Sequence, residues 1–534
     1  MRLLALHTMG HDTGLALFDG ARLEFAVETE RISRIRHDSQ VQAALDHLWE
    51  ATGLAPWDID FLAFSTNVRS AVAQVENLAH LQEEIAAARL LCAESTSTML
   101  GRTLPCLVVA HEVCHAMCAL HVGGWPARCV VAVNEGRGTF SRNCAFLFDG
   151  CLMLVDRDSL PWYSTGFGWS AIGYLLGFGK TPSAAGSMMA MPPYGGDFDA
   201  CDELIRSVAA DFAYADRDRQ RVIARPLVEY VEGHPGFADR ASLVGALQRQ
   251  FTEVWAGYCE SICRRHAVDT LALSGGCALN LPANTVIREQ VPKVTIPPHC
   301  NDAGQAMGAA LFALQQHFGI TPEPFDVYRC GRPLADAEAA WAQRGLSLQA
   351  YDPRVVARRL AAGQIIAYAQ GRSELGPRAL GHRSLLGSAR VAGMRRRMSE
   401  GVKGRQWYRP LACVMRDETF AAHFPGQPLS PYMLYQYRMP AGLAAEATHA
   451  DGTSRIQTVA RCQNPRLWEL LREFEAESGE VGLINTSLNG PGKPIAYTAA
   501  NILEDFAGTE VAAFVLNDCL AARAPGEHPR AEPG

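Results

Sequence analysis

Nowhere in the 534 residues is there a run of about 18 apolar side chains, the length a helix needs to cross a bilayer, so a membrane-spanning helix is excluded. Paired cysteine spacing is also missing. Sixteen cysteines are scattered singly, which speaks for free thiols in a reducing, cytoplasmic setting and against a disulfide framework. The opening MRLLALHTMGHD turns polar too early for the apolar core of a signal peptide. Basic charge is scarce, with 49 Lys and Arg against 56 Asp and Glu and a net charge of −7. A general nucleic-acid binder needs a basic surface, so that class is disfavoured. What the chain does have is bulk: 48% hydrophobic residues over this length can bury large cores in two or three domains.

Its one basic island runs from Gly371 to Pro410. Ten Lys and Arg stand there against two acids, a local +8, which leaves −15 for the rest of the −7 chain. GRSELGPRALGHRS, Gly371 to Ser384, spaces Arg372, Arg378, His382 and Arg383 with glycines and one proline, as a loop that holds an anion requires. The Arg395-Arg396-Arg397 run reads instead as a solvated helical face.

Strand, glycine-bearing loop, strand and Asp-Gly turn follow one another from Arg2 to Glu28, and the plan returns from Cys129 to Asp156. Leu-Phe-Asp-Gly recurs in both at an offset of 130 residues, which predicts a duplicated α/β lobe with a cleft between the copies. Between them the periodicity from Val72 to Leu100 predicts a long helix, followed by a strand from Leu104 to Val109. Leu271 to Leu273 leads into Ser274-Gly275-Gly276 and a helix from Cys277 to Asn284, a seat for an anion or nucleotide that also includes Asn280. CNDAG places Asp302 ahead of a helix from Ala306 to Phe318, where an N-cap is the simpler reading. Proline and glycine thicken from Phe318 to Leu334, the expected linker. Beyond it come a helix at Pro353 to Ala362, a buried strand at Gln364 to Ala369, and a strand from Val481 to Ile484 that ends in Asn485-Thr486-Ser487-Leu488-Asn489-Gly490. Polar groups past a strand end are where α/β sheets bind ligands. The tail after Ala522 is rich in proline and charge and reads as frayed.

His111 and His115 lie one helical turn apart on one face, the spacing of two ligands to a divalent metal; surface or capping histidines are the alternative. Glu135 and Asp302 are candidates for the carboxylates such a site needs, and zinc held with Cys114 or Cys118 is a lesser option. His11, in Gly10-His11-Asp12-Thr13-Gly14, is either a proton acceptor in the cleft or a turn histidine beside a capping Asp12.

Taken together, the motifs resemble the O-carbamoyltransferases of antibiotic and nodulation-factor biosynthesis, as in nebramycin, cephalosporin and nodulation-protein carbamoyltransferases. The resemblance spans almost the whole chain: GHDTG, ETERISRIRHD (Glu28 to Asp38), His111-x-x-x-His115, MPPYG (Met191 to Gly195), LSGGCALN (Leu273 to Asn280), GRSELGPRALGHRS, RPLA (Arg409 to Ala412), SRIQ (Ser454 to Gln457) and NTSLNGPGKPI (Asn485 to Ile495).

This resemblance implies an α/β fold. A duplicated actin-like ATPase domain over residues 1–335 would be similar to the tRNA threonylcarbamoyl-transfer protein. A smaller α/β domain over 345–525 would be like threonylcarbamoyl-adenylate synthase. It implies that carbamoyl phosphate and ATP, with Mg2+, form carbamoyl adenylate in the C-terminal domain, and that the carbamoyl group then passes to a small-molecule hydroxyl acceptor in the N-terminal one. By motif, His11 with Asp12 would serve as base, and His111, His115, Asp302 and Glu135 would hold a divalent metal, Fe2+ by resemblance, although this ligand set suits several ions. Arg372, Arg378, His382, Arg383, Ser384, Lys403, Arg409, Arg455, Asn485, Thr486, Ser487 and Asn489 would bind ATP and carbamoyl phosphate. No nucleic acid and no membrane is expected as a partner; oligomeric state stays open, a homodimer among the options.

Two positions depart from the family pattern. An Asp expected in a DGxG loop is replaced in Asn134-Glu135-Gly136-Arg137-Gly138, so the ligand would be the longer Glu135 or Asn134. A lysine expected ahead of the MPPYG element is Ser187. A tRNA threonylcarbamoyl-modifying enzyme and a non-catalytic nucleotide-binding regulator of actin-like fold are the alternatives. The acidic first domain argues against the former, and the two substitutions alone favour the latter.

Overall fold

A computed structural model describes residues 1–8, 11–67, 70–178, 183–208, 223–335, 341 and 346–523. Gly10 and the tail beyond 523 lie outside them. Packing divides the chain into two compact units, one of residues 1–9, 18–22 and 56–324, the other of 10–17, 23–55 and 325–534. By packing, two early segments group with the later part of the chain.

Continuous apolar runs mark strands covered on both faces. The first sheet holds β1 (Arg2–His7), β2 (Gly14–Asp19), β3 (Arg22–Glu28), β4 (Phe61–Ser65), β5 (Cys92–Ser97) and β6 (Leu104–Val109) in the order β3-β2-β1-β4-β6-β5. β1, β4 and β6 run parallel, with β5 antiparallel on β6. The second holds β7 (Cys129–Asn134), β8 (Asn143–Asp149), β9 (Cys151–Arg157), β10 (Thr270–Ser274) and β11 (Lys293–Thr295) in the order β11-β10-β7-β8-β9. Both sheets thus follow one plan, a hairpin on one side of the first strand and parallel strands on the other. Gly20 and Gly150 turn the two hairpins with φ of 56° and 75°. The duplicated α/β lobe is present.

The helix His111–Val122 packs on β7 and β10, while Gln305–Phe312 packs on β1 and β4, and the two helices lie against each other. Gly308 makes that approach possible, since a Cβ there would sit 1.9 Å from the Cys114 carbonyl oxygen. Gln305–Phe312 runs on into a π-turn, Ala313–His317, so the expected helix is continuous but changes its winding.

Two expectations fail here. Val72 to Leu100 is not one helix but short helices at Ser70–Ala73 and Leu78–Ala88 followed by β5. Gln74, Asn77 and Arg89 adopt positive φ, which ends helical winding, and the Ser-Thr-Ser of β5 finds its backbone partners on β6. The helix expected from Cys277 is likewise a short 3-10 turn, Gly276–Leu279, and then Leu281–Gln290.

The second unit is built on nine strands: β12 (Ser347–Ala350), β13 (Ile365–Ala369), β14 (Arg383–Ser388), β15 (Ala412–Arg416), β16 (Gln436–Arg438), β17 (Thr453–Val459), β18 (Leu483–Ser487), β19 (Val511–Leu516) and β20 (Cys519–Ala522). Their order is β12-β20-β19-β13-β14-β18-β15-β17-β16. Helices Pro353–Ala361 and Pro465–Ser478 cover one face with Val356, Leu360, Leu467, Leu471 and Phe474. β18 starts and ends later than the expected strand, so Asn485 to Ser487 belong to it and pair with β14, Ser384 facing Ser487. That register places the end of the basic loop beside the end of the NTSLNG strand.

Candidate functional site

The first unit gathers a four-residue cluster at strand ends. His111 opens its helix two residues after β6, Glu135 directly follows β7, and Asp302 starts a 3-10 turn. His111 Nε2 and His115 Nε2 are 3.1 Å apart, His115 Nε2 is 2.8 Å from Glu135 Oε1, and Asp302 Oδ1 is 3.4 Å from both imidazoles. All four donor atoms lie within 4.8 Å of one another. Burial works against charging His115, yet Glu135 and Asp302 outweigh it and push its pKa up to about 9. A buried pair of converging imidazoles with two carboxylates fits a divalent cation, which would replace the proton those carboxylates otherwise hold on His115. The Asn67 amide stands 2.8 Å from His111 Nδ1 and so engages the ring nitrogen away from the cluster.

Between Asn134 and Glu135 the geometry is unequal. Asn134 donates its amide to the Ser164 carbonyl, whereas Glu135 turns into the cluster and also accepts from the Gly276 N–H. Gly275 must be glycine, with φ of 91° and a Cβ position 2.4 Å from the Asn134 carbonyl oxygen. Ser274 bonds the Cys300 carbonyl, and Asn280 caps Leu281–Gln290 while pairing with Gln248. Glu112, inside the His111–His115 turn, was not singled out by sequence reasoning. Its buried Oε1 accepts from the Phe140 and Ser141 N–H groups at 2.9 Å each and so shapes the loop that carries Glu135. Ser187 is buried in the short helix Ser183–Met188.

In the second unit the basic loop folds around its own acid. Glu374 Oε1 accepts from the N–H groups of Leu380, His382 and Arg383 at 2.7, 2.9 and 3.0 Å. Arg31 donates to the Gly376 carbonyl, and Glu28 accepts from the Gly376 N–H at 2.8 Å, so the early ETER segment braces this loop. Arg383 spends its guanidinium on the carbonyls of Gln370, Gly371, His382 and Tyr497. Its place is inside the loop. The His382 ring stacks on Tyr328 at 3.6 Å, Ser384 Oγ accepts from the Gly381 N–H, and Arg372 reaches the Glu24 carbonyl. Asn485 bridges Gln457 and the Ala379 carbonyl.

Lys403, Ser487 and Asn489 come together directly. Lys403 Nζ donates to Asn489 Oδ1 at 2.7 Å and to Ser487 Oγ at 3.2 Å. Arg405, whose neighbours were selected and which itself was not, donates to Thr486 Oγ1 and Ser487 Oγ. Burial first, then repulsion from Arg405 and Arg409, holds Lys403 well below the usual lysine range. Burial and the charges of Arg409, Arg36 and Arg378 bring Arg405 down to about 9, and Arg455 is lowered by burial together with Arg378, Arg405 and Arg409. Six cations held close against their own repulsion form a preorganised receptor for a polyanion. Arg36, in the ETERISRIRHD run, is the member that sequence reasoning left without a role.

His11 and Asp12 are joined by a residue not foreseen, His37. Asp12 Oδ1 lies 2.7 Å from His37 Nδ1, and Asp12 Oδ2 lies 3.2 Å from His11 Nδ1.

All sixteen cysteines are unpaired, and no helix among the described residues is long and apolar enough to cross a membrane. The family model described as carbamoyltransferase N-terminus matches residues 2–311, and that described as carbamoyltransferase C-terminus matches 357–523. A 3'-hydroxymethylcephem-O-carbamoyltransferase of Streptomyces clavuligerus is 29% identical over 97% of this chain and 98% of its own length. Nodulation protein NolNO of Sinorhizobium fredii is 27% identical over 96% of this chain and 79% of its own. Nodulation protein U of the same organism is 36% identical over 44% of this chain and 42% of its own.

Proposed function

The chain belongs to the carbamoyltransferase family and is an enzyme, and from that premise we propose that it forms carbamoyl adenylate from carbamoyl phosphate and ATP and passes the carbamoyl group to a hydroxyl of a small natural product. The observation that carries this reading is the cluster of Arg405, Arg409, Arg455, Arg378 and Arg36 around the buried Lys403, beside Ser487 and Asn489.

Water first releases phosphate from carbamoyl phosphate and leaves carbamate. A carbamate oxygen then attacks the α-phosphorus of ATP, supplied as its magnesium complex, and the bond to pyrophosphate breaks. Fixed cations favour this step because the charge that grows on the leaving pyrophosphate is met without reorganisation. In transfer, a substrate hydroxyl attacks the carbamoyl carbon, His11 Nε2 takes the hydroxyl proton, and AMP departs with the C–O bonding pair. His111, His115, Glu135 and Asp302 would hold the divalent ion, iron(II) on the resemblance, which supplies Lewis-acid polarisation of the group it binds. An alcohol acceptor fits the cephem relative, which is named for O-carbamoylation of a hydroxymethyl group.

Incubation with ATP and carbamoyl phosphate tests the first half. Pyrophosphate release that requires both substrates is expected. Its absence with every divalent metal tried overturns the reading.

A further inference from the structure

We propose that Asp505 is a positioning residue for the polyanion site: its buried carboxylate fastens the loop after β18 so that Asn489 meets Lys403. This rests on the reading of Lys403 and the arginines around it as the seat of ATP and carbamoyl phosphate.

Asp505 sits on the helix Ala499–Phe506, whose start is closed by a capping box between Thr498 and Asn501. Its side chain is wholly buried. Oδ2 accepts two bonds, from the Gly490 N–H at 3.0 Å and from the Arg34 guanidinium at 2.6 Å, while Oδ1 lies 3.1 Å from Lys493 Nζ. Arg34 reaches the same loop again, donating to the carbonyls of Pro494 and Ile495 at 2.9 and 3.0 Å. It does so from a φ of 61°, just past the turn Thr29–Ser33, a conformation that side-chain-bearing residues keep only when their surroundings enforce it. One carboxylate and the guanidinium paired with it therefore hold both ends of residues 490–495.

That loop fixes one amide. Asn489 Nδ2 donates to the Gly490 and Lys493 carbonyls at 2.9 Å each, so its Oδ1 faces Lys403 Nζ and Ser487 Oγ, both at 2.7 Å. Pro491 returns toward the segment of Lys403 itself, 3.5 Å from where a Cβ on Gly404 would stand. Charge works in the opposite direction. Burial and then Arg405 and Arg409 lower the Lys403 pKa, and Asp505 opposes them, so its negative charge is felt at the site. A carboxylate near the seat of a polyanion repels the ligand, and by charge alone its loss tightens binding. A carboxylate that holds the loop does the reverse, because without it the seat must be ordered during binding. The two roles differ in sign.

The test is calorimetric titration of the full-length protein with inorganic pyrophosphate, the anion released in activation, with melting temperatures recorded alongside. Asp505→Ala is expected to weaken binding about tenfold. Asp505→Asn, whose amide oxygen can accept from Gly490 without the charge, should restore it. In an Asn489→Ala background the further effect of Asp505→Ala should shrink below about twofold, since both changes act on one contact. Wild-type or tighter binding by Asp505→Ala overturns the proposal; so does an equal loss in Asp505→Asn, or an undiminished effect in the Asn489→Ala background. If Asp505→Ala does not fold, Arg34→Lys takes its place, keeping the charge but unable to serve Asp505, Pro494 and Ile495 together. A loss of about tenfold is expected there too, and unchanged affinity overturns the proposal. Failure of the underlying reading looks different: wild type would bind no pyrophosphate, or Lys403→Ala would bind it as tightly as wild type.

Discussion

Lys403 donates its ammonium to the side-chain oxygen of Asn489 at 2.7 Å, and that short contact locks the loop after β18 onto a cation buried among arginines. A lysine whose charge is disfavoured by burial and by neighbouring cations is stabilised when a polyanion enters. Lys403→Ala should therefore reduce pyrophosphate release by about a hundredfold or more, measured with saturating ATP and carbamoyl phosphate, while thermal stability without ligand stays level or rises. A variant with wild-type release would remove Lys403 from the site.

Glu374 gathers three backbone N–H groups onto one oxygen. Glu374→Ala leaves them buried without an acceptor and should cost about 3 kcal/mol of stability, read from urea unfolding, with loss of pyrophosphate release as the loop from Gly371 to Ser384 opens.

Acid should loosen the protein before its carboxylates titrate. His299 is buried, and burial followed by repulsion from His121 and His115 lowers its pKa to about 3; His382 is lowered mainly by burial, against the opposing pull of Glu374. A histidine whose folded pKa is lowered leaves the unfolded chain binding more protons below about pH 6.5, so stability falls as pH drops from there toward the folded value. Each pH unit in that window costs about 1.4 kcal/mol per histidine. The melting temperature should fall as pH drops below 6.5, less steeply in His299→Leu.

At the cluster of His111, His115, Glu135 and Asp302, the proposed metal site, His115→Ala and Glu135→Ala should each lose bound divalent metal in elemental analysis of the purified protein, whereas Asn134→Ala, whose parent amide faces the Ser164 carbonyl, should retain it. Retention by Glu135→Ala with loss by Asn134→Ala would reverse the assignment.

Gly308→Ala places a methyl group 1.9 Å from a backbone oxygen that its own helix holds in place. The two helices must separate, at a cost of about 3 kcal/mol, seen as a large drop in the denaturant midpoint.

The residues that could be read in advance are those whose role is local or repeated. The Leu-Phe-Asp-Gly turns, the apolar central strands and the His111–His115 spacing all follow from short-range rules, and the structure contains each of them. What the sequence left unsaid is long-range. Arg31 meets Gly376 across 345 positions, and Arg36 acts on Lys403 from farther still. Glu112 looked like any polar residue of a helix until its loop partners, Phe140 and Ser141, were in view. β5 is hidden because the helical spacing of Leu78, Leu81, Ile85, Ala88 and Leu91 runs past the end of the helix at Ala88, and the positive φ at Arg89 shows where winding stops.

The grouping of residues 23–55 with 325–534 also has a consequence in time. Glu28 and Arg31 leave the ribosome some 345 residues before the loop they brace, a gap of about 17–70 s at ordinary rates of synthesis. During that interval the early segment has no partner, and its exposed charges become an asset because they keep a waiting chain soluble. The order of synthesis thus makes the second unit the last to close, and an expression host that slows translation between the two segments lengthens the period in which a chaperone must shelter the first.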